Sequence, residues 1–324
     1  MTTVGIIGGS GYTGGELVRL VLQHPALELE FVYSRSQAGK ALHEVHPDLY
    51  GQSRLHFTQE INANVNVLFL CMGHGKSREF LSNHPVSTKT IIIDLSQDFR
   101  NAPTNVYQDR NFVYGLPELQ GTEIENATAI ANPGCFATAI ALALLPLAKV
   151  NALQQQSVHV HATTGSTGAG VLPSATSHFS WRTANMSWYK PFTHQHLTEI
   201  QATLQQDTEA IDLIFLPHRG PFARGIFATA YTQYNGTLKD AYSLYENYYA
   251  QAPFTHVVPA PVHLKQVTGS NNCMLHLHLH DNILLITSVI DNLIKGAAGQ
   301  ALQNLNLIMG WEEHLGLQLK TNIF

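Results

Sequence analysis

Val4-Gly5-Ile6-Ile7-Gly8-Gly9-Ser10-Gly11-Tyr12-Thr13-Gly14 is the stretch on which the fold turns. A short apolar run ends in glycines, and Gly8, Gly11 and Gly14 recur at every third position. Tyr12 to His24 then places Leu17, Leu20 and Val21 on one helical face. Strand, glycine turn and helix together let the backbone turn tightly and approach an anion. Unpaired N–H groups and a partial positive charge at the helix start face that anion. Ser10 and Thr13 add hydroxyl donors, and Tyr12 stands beside them. The spacing departs from G-x-G-x-x-G, and a glycine turn without a ligand is the plain alternative. The strand before it and the helix after it favour a dinucleotide pyrophosphate.

Working outward, Leu27 to Tyr33 reads as a second strand. Val65 to Cys71 and Thr90 to Asp94 are near-continuous apolar runs, as in parallel strands covered on both faces. The alternation predicts a doubly wound α/β domain over about the first 130 residues. Phe136 to Lys149 is apolar nearly all round and predicts a buried helix. Beyond it, Ser157 to His161, Ile226 to Tyr234 and Met274 to His280 alternate apolar with polar. That period predicts half-wetted strands, hence a second, α+β domain with a mostly antiparallel sheet. Asp291 to Met309 predicts one long helix, whose Gly296, Ala297, Ala298 and Gly299 allow close packing.

Composition bounds the rest. The chain has 324 residues, 44% hydrophobic and 13% charged, which suits two globular domains. A net charge of −5 argues against a general nucleic-acid binder. Cys71, Cys135 and Cys273 are too scattered for a disulfide framework and read as free thiols in a reducing compartment. No apolar run approaches the ~20 residues of a membrane span, and the opening residues lack a signal core. The expected setting is the cytoplasm, with no membrane partner.

The end of the second strand selects the dinucleotide. An acidic residue there would take a ribose 2′-hydroxyl. This chain has Ser34-Arg35-Ser36, which suits a 2′-phosphate and predicts NADP. Arg35 as an ordinary surface residue is the alternative. Gly73 and His74 follow an apolar strand and are candidates for the same cleft, although His74 also fits a plain loop.

Asn132-Pro133-Gly134-Cys135 puts a thiol at the start of the buried helix. The positive field there favours the thiolate, the reactive form. A nucleophile together with a hydride donor points to one chemistry: the thiolate attacks an activated acyl group, and hydride reduces the thioester to an aldehyde. A free cysteine can equally be a small buried hydrophobe. That reading is taken for Cys71 and Cys273.

The chain resembles the N-acetyl-gamma-glutamyl-phosphate reductases nearly end to end. The likeness rests on Gly5 to Leu20, SRSQAGK at 34–40, IDLSQDFR at 93–100 and VYGLPEL at 113–119. It continues through ANPGCFATA at 131–139, GSTGAG at 165–170, HQHLTEI at 194–200, RGI at 224–226 and DNLIKGAAGQALQNLNL at 291–307. The resemblance implies a Rossmann domain completed by the C-terminal helix, 1–134 plus 296–324. The catalytic and dimerisation domain is then 135–295, similar to that of aspartate-semialdehyde dehydrogenase. It implies reduction of N-acetyl-L-glutamyl 5-phosphate by NADPH in arginine biosynthesis, with Cys135 as nucleophile, no metal, and a homodimer or homotetramer. Many members have lysine-serine-glycine where this chain has Thr163-Thr164-Gly165. That change resembles relatives using a succinylated substrate, and aspartyl or aminoadipyl phosphate are further alternatives.

Acyl-phosphate chemistry needs a proton shuttle and cations. His196, in His194-Gln195-His196, is the first choice for the shuttle, with Glu199 placed to orient it and His194 beside the substrate. His218 is the second choice. Arg100 is the candidate for the phosphate, Asn132 for a substrate donor and Arg224 for a carboxylate. Ordinary ion pairs are the alternative for both arginines. Asn292 is assigned to the cofactor. His159 and His161, and His276, His278 and His280, fit a polar sheet face better than a metal site. A non-catalytic NADP-binding regulator is the reading from another class.

Overall fold

The structure is a computed structural model that describes residues 1–153, 156–205, 211–321 and 323. It divides into two compact units. One is Met1–Gly134 with Ala297–Gln318; the other is Cys135–Gly296 with the residues from Leu319 onward.

The first unit is built on strands β1 (Thr2–Ile7), β2 (Leu27–Tyr33), β3 (Phe57–Thr58), β4 (Val67–Leu70) and β5 (Ile91–Asp94). A small hairpin, β6 (Val106–Tyr107) and β7 (Arg110–Asn111), stands apart, and β8 (Val113–Tyr114) and β9 (Ala129–Ala131) rejoin the sheet. The order is β3-β2-β1-β4-β5-β9-β8, and every pairing is parallel. Val4, Ile6, Ile7 and all of Val67–Leu70 are buried, as strands covered on both faces require. The strand order reverses between β1 and β4, and ligands bind at the carboxyl ends of strands at such a switch point. Helix Gly299–Ile308 closes this unit. Its Asn304 Nδ2 donates to Gly115 O (2.9 Å) and Asn132 Oδ1 (3.1 Å).

The second unit carries β10 (Ser157–Thr164), β11 (Ser187–Trp188), β12 (Asp212–Arg219), β13 (Ile226–Gln233), β14 (Thr255–Val257), β15 (Cys273–His280) and β16 (Ile283–Ile290). Their order is β11-β12-β10-β13-β16-β15-β14. The sheet is mixed, which refines the mostly antiparallel expectation. β10 runs parallel to β12, and β14 to β15, while the other pairs are antiparallel. The cause is a crossover: helix His196–Leu204 lies between β10 and β12 and returns the chain in the same direction.

One face of this sheet packs against helices Cys135–Lys149, His196–Leu204 and Leu238–Tyr248 through Val158, Val160, Phe215, Ala228, Leu277 and Ile286. Pro146 lies inside the first of these helices and leaves the Leu142 carbonyl without its helical donor. The buried Tyr249 hydroxyl donates to that oxygen at 2.6 Å, and Tyr245 donates to Ala143 O at 2.6 Å.

The long helix expected over Asp291 to Met309 is interrupted. A π turn spans Ile294–Ala298 before Gly299–Ile308 becomes α-helical. Asp291 directs this. Its Oδ1 accepts from Leu293 N (2.8 Å) and Ile294 N (3.1 Å), while Gly296 N reaches back five residues to Asp291 O (2.9 Å).

Candidate active site

In the first unit the glycine turn joins β1 to helix Tyr12–Gln23. Gly8 has φ +81°, and a Cβ there would lie 2.7 Å from Cys71 O. A Cβ on Gly14 would lie 2.5 Å from Gly8 O and 2.6 Å from Gly9 Cα. Both positions therefore require glycine. Gly11 does not: its hypothetical Cβ meets nothing nearer than 3.8 Å. Gly11 is also the N-cap of the helix, with no side chain capping the first turn. Open space on one side, close backbone on the other and uncapped N–H groups fit a bound pyrophosphate.

Ser10 and Ser34 hydroxyls meet at 3.0 Å and tie the turn to the end of β2. Tyr12 is exposed and Thr13 half-buried at the helix start. Arg35 and Ser36 are exposed just beyond β2, and Arg35 Nε donates to the Tyr33 hydroxyl at 3.0 Å. That bond ties the guanidinium to the last residue of β2. Gly73 and His74 are exposed after β4, and His74 Nδ1 accepts from Gln97 N (3.2 Å).

His46, which sequence reasoning missed, is buried and donates from Nε2 to Gly9 O at 2.8 Å. Burial pushes its pKa below the usual histidine range, so the ring is neutral with its proton on Nε2. Nothing in its local sequence signals this contact.

Arg100 and Asn132 serve the backbone of this unit. Arg100 Nε donates to Asn132 O (2.9 Å) and its Nη2 to Leu95 O (2.9 Å). Asn132 is fully buried, with Nδ2 directed to Ala297 O at 3.2 Å. Beneath Arg100, Asp94 is buried and accepts from Ser77 Oγ (2.5 Å) and Ser96 Oγ (2.7 Å). Desolvation lifts its pKa to about 6 against those bonds and the Arg100 charge. The Cys71 thiol is pushed well above the usual thiol range, first by burial.

In the second unit Cys135 is the first residue of its helix. A Cβ on Gly296 would lie 2.8 Å from Cys135 Cβ, so a glycine makes room for the thiol. The next residue, Phe136, anchors an aromatic group. His194 stands 5.4 Å and His196 6.3 Å from the Phe136 ring, and the two imidazoles are 4.8 Å apart. His194 Nδ1 accepts from His196 N at 3.2 Å, which leaves Nε2 to carry the proton of the neutral ring. Glu199 is buried one helical turn beyond His196.

Two further residues belong to this group and were not legible in the sequence. Tyr189 packs edge-on to His194 at 5.6 Å. Its phenol is held above the usual tyrosine range by burial first and then by the Cys135 charge, with Arg219 opposing. The Arg219 guanidinium lies 4.7 Å from the Tyr189 ring centre, and its Nε is buried with no hydrogen-bond partner among the described residues.

The structure separates the two histidine candidates. Phe215 shares its sheet face with the helices, and alternation puts Arg219 on that same face. His218 points to the opposite face, where it stacks with His161 at 6.1 Å. Burial and His161 lower its pKa. Arg224 forms a two-bond ion pair with buried Asp291 (3.1 and 3.2 Å). Asn292 accepts from Gly225 N (2.7 Å) and donates to Thr167 Oγ1 (3.0 Å), which uses its amide within the second unit.

No helix among the described residues is long and apolar enough to cross a membrane. Residues 3–127 match the family described as semialdehyde dehydrogenase, NAD binding domain, and residues 135–292 match semialdehyde dehydrogenase, dimerisation domain. Among solved structures, aspartate semialdehyde dehydrogenase II of Vibrio cholerae superposes with TM-score 0.71 at 17% identity, covering 96% of this chain and 98% of that one. The Candida albicans aspartate semialdehyde dehydrogenase with NADP gives TM-score 0.68 at 12% identity, covering 96% and 99%. These likenesses establish the fold. Over their full lengths, the N-acetyl-gamma-glutamyl-phosphate reductases of Christiangramia forsetii and Flavobacterium johnsoniae are each 54% identical to this chain, and that of Bacteroides fragilis is 49% identical. The chain is an oxidoreductase and belongs to the N-acetyl-gamma-glutamyl-phosphate reductase family.

Proposed function

We propose that the protein reduces N-acetyl-L-glutamyl 5-phosphate to N-acetyl-L-glutamate 5-semialdehyde and phosphate, through a thioester on Cys135. The observation that carries this reading is the thiol at the first position of a 15-residue helix, electrostatically coupled to the Tyr189 phenol, which itself packs against His194 and Arg219. The helix N-terminus favours the thiolate that attacks the acyl carbon. The C–O bond to phosphate breaks as the C–S bond forms. The Gly8–Gly14 turn would hold NADPH, with Arg35 placed for its 2′-phosphate, and the bound cofactor would supply the hydride that reduction of the thioester requires. C–S cleavage then releases the aldehyde and restores the thiolate. His196, oriented by Glu199, moves the proton, with His194 packed against it. Arg219 supplies the cation for an anionic group of the substrate through its open Nε.

The acyl group follows the relatives' printed names. We further assign the second unit to pairing with a second copy through the sheet face that bears no helices, in keeping with its match to a dimerisation domain.

Trapping tests the chemistry. Incubation with acyl phosphate in the absence of NADPH leaves an N-acetylglutamyl mass adduct on Cys135. Cys135→Ala gives no adduct and no turnover yet still binds NADPH. A wild-type enzyme that turns over without any adduct on quenching, or an active Cys135→Ala, overturns the scheme.

A further inference from the structure

The face of the second unit's sheet turned away from the helices is chemically unusual. Side chains that share it by register include His159 and His161 of β10, Ile214, Leu216 and His218 of β12, and Trp188 of β11. Tyr231 of β13, Leu285 of β16 and His278 of β15 continue it across the sheet. Its strands carry no lysine, arginine or glutamate side chain on this face, and one carboxylate, Asp212, at the far end of β12. Apolar and aromatic groups are mixed there with imidazoles, the side chain type that gains charge in mild acid. Among the described residues no three His, Cys, Asp or Glu side chains are placed to hold a metal ion.

We infer that this face closes against a second copy of the chain only while His161 and His218 are uncharged, so that the pairing is acid-labile. The inference rests on the pairing proposed above and goes beyond it by naming what controls it. The two rings are nearly parallel (15°) with centroids 6.1 Å apart. His161 is exposed and also lies 6.2 Å from Tyr231, which stacks on His159 at 5.1 Å. Trp188, 62% exposed, pairs in register with His218 and extends the same surface at its edge.

The titratable and charged groups facing the pair are few. They are His159 on β10, Tyr231 on β13, Asp212 at the far end of β12, and His263 with Lys265 on the cavity rim above Thr163 and Phe227. Asp212 already accepts from Ser157 Oγ at 2.5 Å. Among the described residues, no carboxylate is recorded against the stacked rings to neutralise them once protonated. Burial and His161 already hold the His218 pKa below its usual range in the single chain. A second copy would deepen that burial, and a two-fold contact presents the same patch from both sides.

Each imidazole that must stay neutral in the pair, and protonates when the chains are apart, weakens association by up to about tenfold per pH unit of acidification. Two such rings per subunit make a rise in Kd of at least ~100-fold between pH 7.5 and 5.5 conservative. The test is sedimentation velocity over a concentration series at pH 7.5 and 5.5. It compares wild type with the double variant His161→Gln/His218→Gln, with near-UV circular dichroism recorded on the same samples.

The expected result is a pair at pH 7.5 for both proteins. Wild type then dissociates at pH 5.5 with its circular dichroism retained, and the double variant's Kd rises less than tenfold. An unchanged wild-type Kd at pH 5.5 overturns the acid-lability while leaving the pairing intact. Equal weakening of wild type and variant removes these two histidines from the explanation. A wild-type monomer at every concentration at pH 7.5 overturns the pairing itself.

Discussion

Gly11 and Gly14 lie three residues apart in one turn, and the structure predicts opposite consequences for changing each to alanine. In Gly14→Ala the methyl would stand 2.5 Å from Gly8 O and 2.6 Å from Gly9 Cα. Those are backbone atoms of the turn, so relief requires the turn itself to move. Overpacking of this kind costs about 1–3 kcal/mol, against which the better helix propensity of alanine returns up to ~1. At about 2–4 °C per kcal/mol for a unit of this size, the first unit should melt several degrees lower. NADPH affinity should fall with it, because the turn that cradles the pyrophosphate has shifted. In Gly11→Ala the backbone angles (φ −82°, ψ 171°) are open to any residue and the nearest atom is 3.8 Å away. Its stability should stay within about 1 kcal/mol of wild type, the scale of a cap substitution. Its methyl, however, projects into the space assigned to the pyrophosphate. The KM for NADPH should rise tenfold or more while the melting temperature barely changes. Differential scanning calorimetry and NADPH fluorescence titration read the two effects separately. A Gly11→Ala protein that binds NADPH as wild type does would place the cofactor elsewhere. A Gly14→Ala protein of unaltered melting temperature would refute the packing account of the turn.

Arg35→Ala should lower kcat/KM for NADPH about 10–100-fold, the scale of lost hydrogen bonds to a charged group, with NADH turnover unchanged; an unaltered preference in steady-state assays would remove Arg35 from cofactor selection. Arg219→Gln should raise the substrate KM at least tenfold with NADPH affinity intact, and Arg219→Lys should recover part of it. Measured in the reverse direction, a raised KM for inorganic phosphate would assign Arg219 to the phosphate, and a raised KM for the semialdehyde alone to the carboxylate; no change in either would discard the role. Asp94 sets a pH dependence of stability. Its folded pKa, about 6, lies above its unfolded value, so the protonated form favours the fold. That contribution is complete below about pH 4 and is lost as pH rises through 6, on the order of 3 kcal/mol at most. Urea unfolding of wild type and Asp94→Asn from pH 4 to 7 should therefore show a stability difference that shifts toward the variant as pH rises, and a flat difference would contradict the burial argument.

Much of the first unit was legible because its signals are local. Two-sided burial writes unbroken apolar runs into β1, β4 and β5, and glycine at positions 8 and 14 is demanded by backbone within the same turn and the next strand. The second unit's sheet was legible as strands but not as directions. A strand with one covered face alternates in the same way whether its neighbour runs parallel or antiparallel, so nothing in Ser157 to His161 announces that β12 lies beside it in the same sense. The π turn was hidden for a related reason. Gly296-Ala297-Ala298-Gly299 carries small residues compatible with any helix, and the choice is made by Asp291 gathering two N–H groups at once.

Cys135 could be placed from sequence because it opens its own helix, and the histidine pair because it opens another. Tyr189 and Arg219 reach the cysteine group through pairing of β11 with β12, a contact between segments with no shared period. Yet part of that information was present. In Leu213-Ile214-Phe215-Leu216-Pro217-His218-Arg219, fixing Phe215 as core assigns Arg219 to its face and His218 to the other by parity alone. A one-residue step thus separates a cation packed on Tyr189 from an imidazole stacked on His161 across the sheet. Local composition singled out His218 alone, and the parity of the strand is what sends Arg219 to the other face.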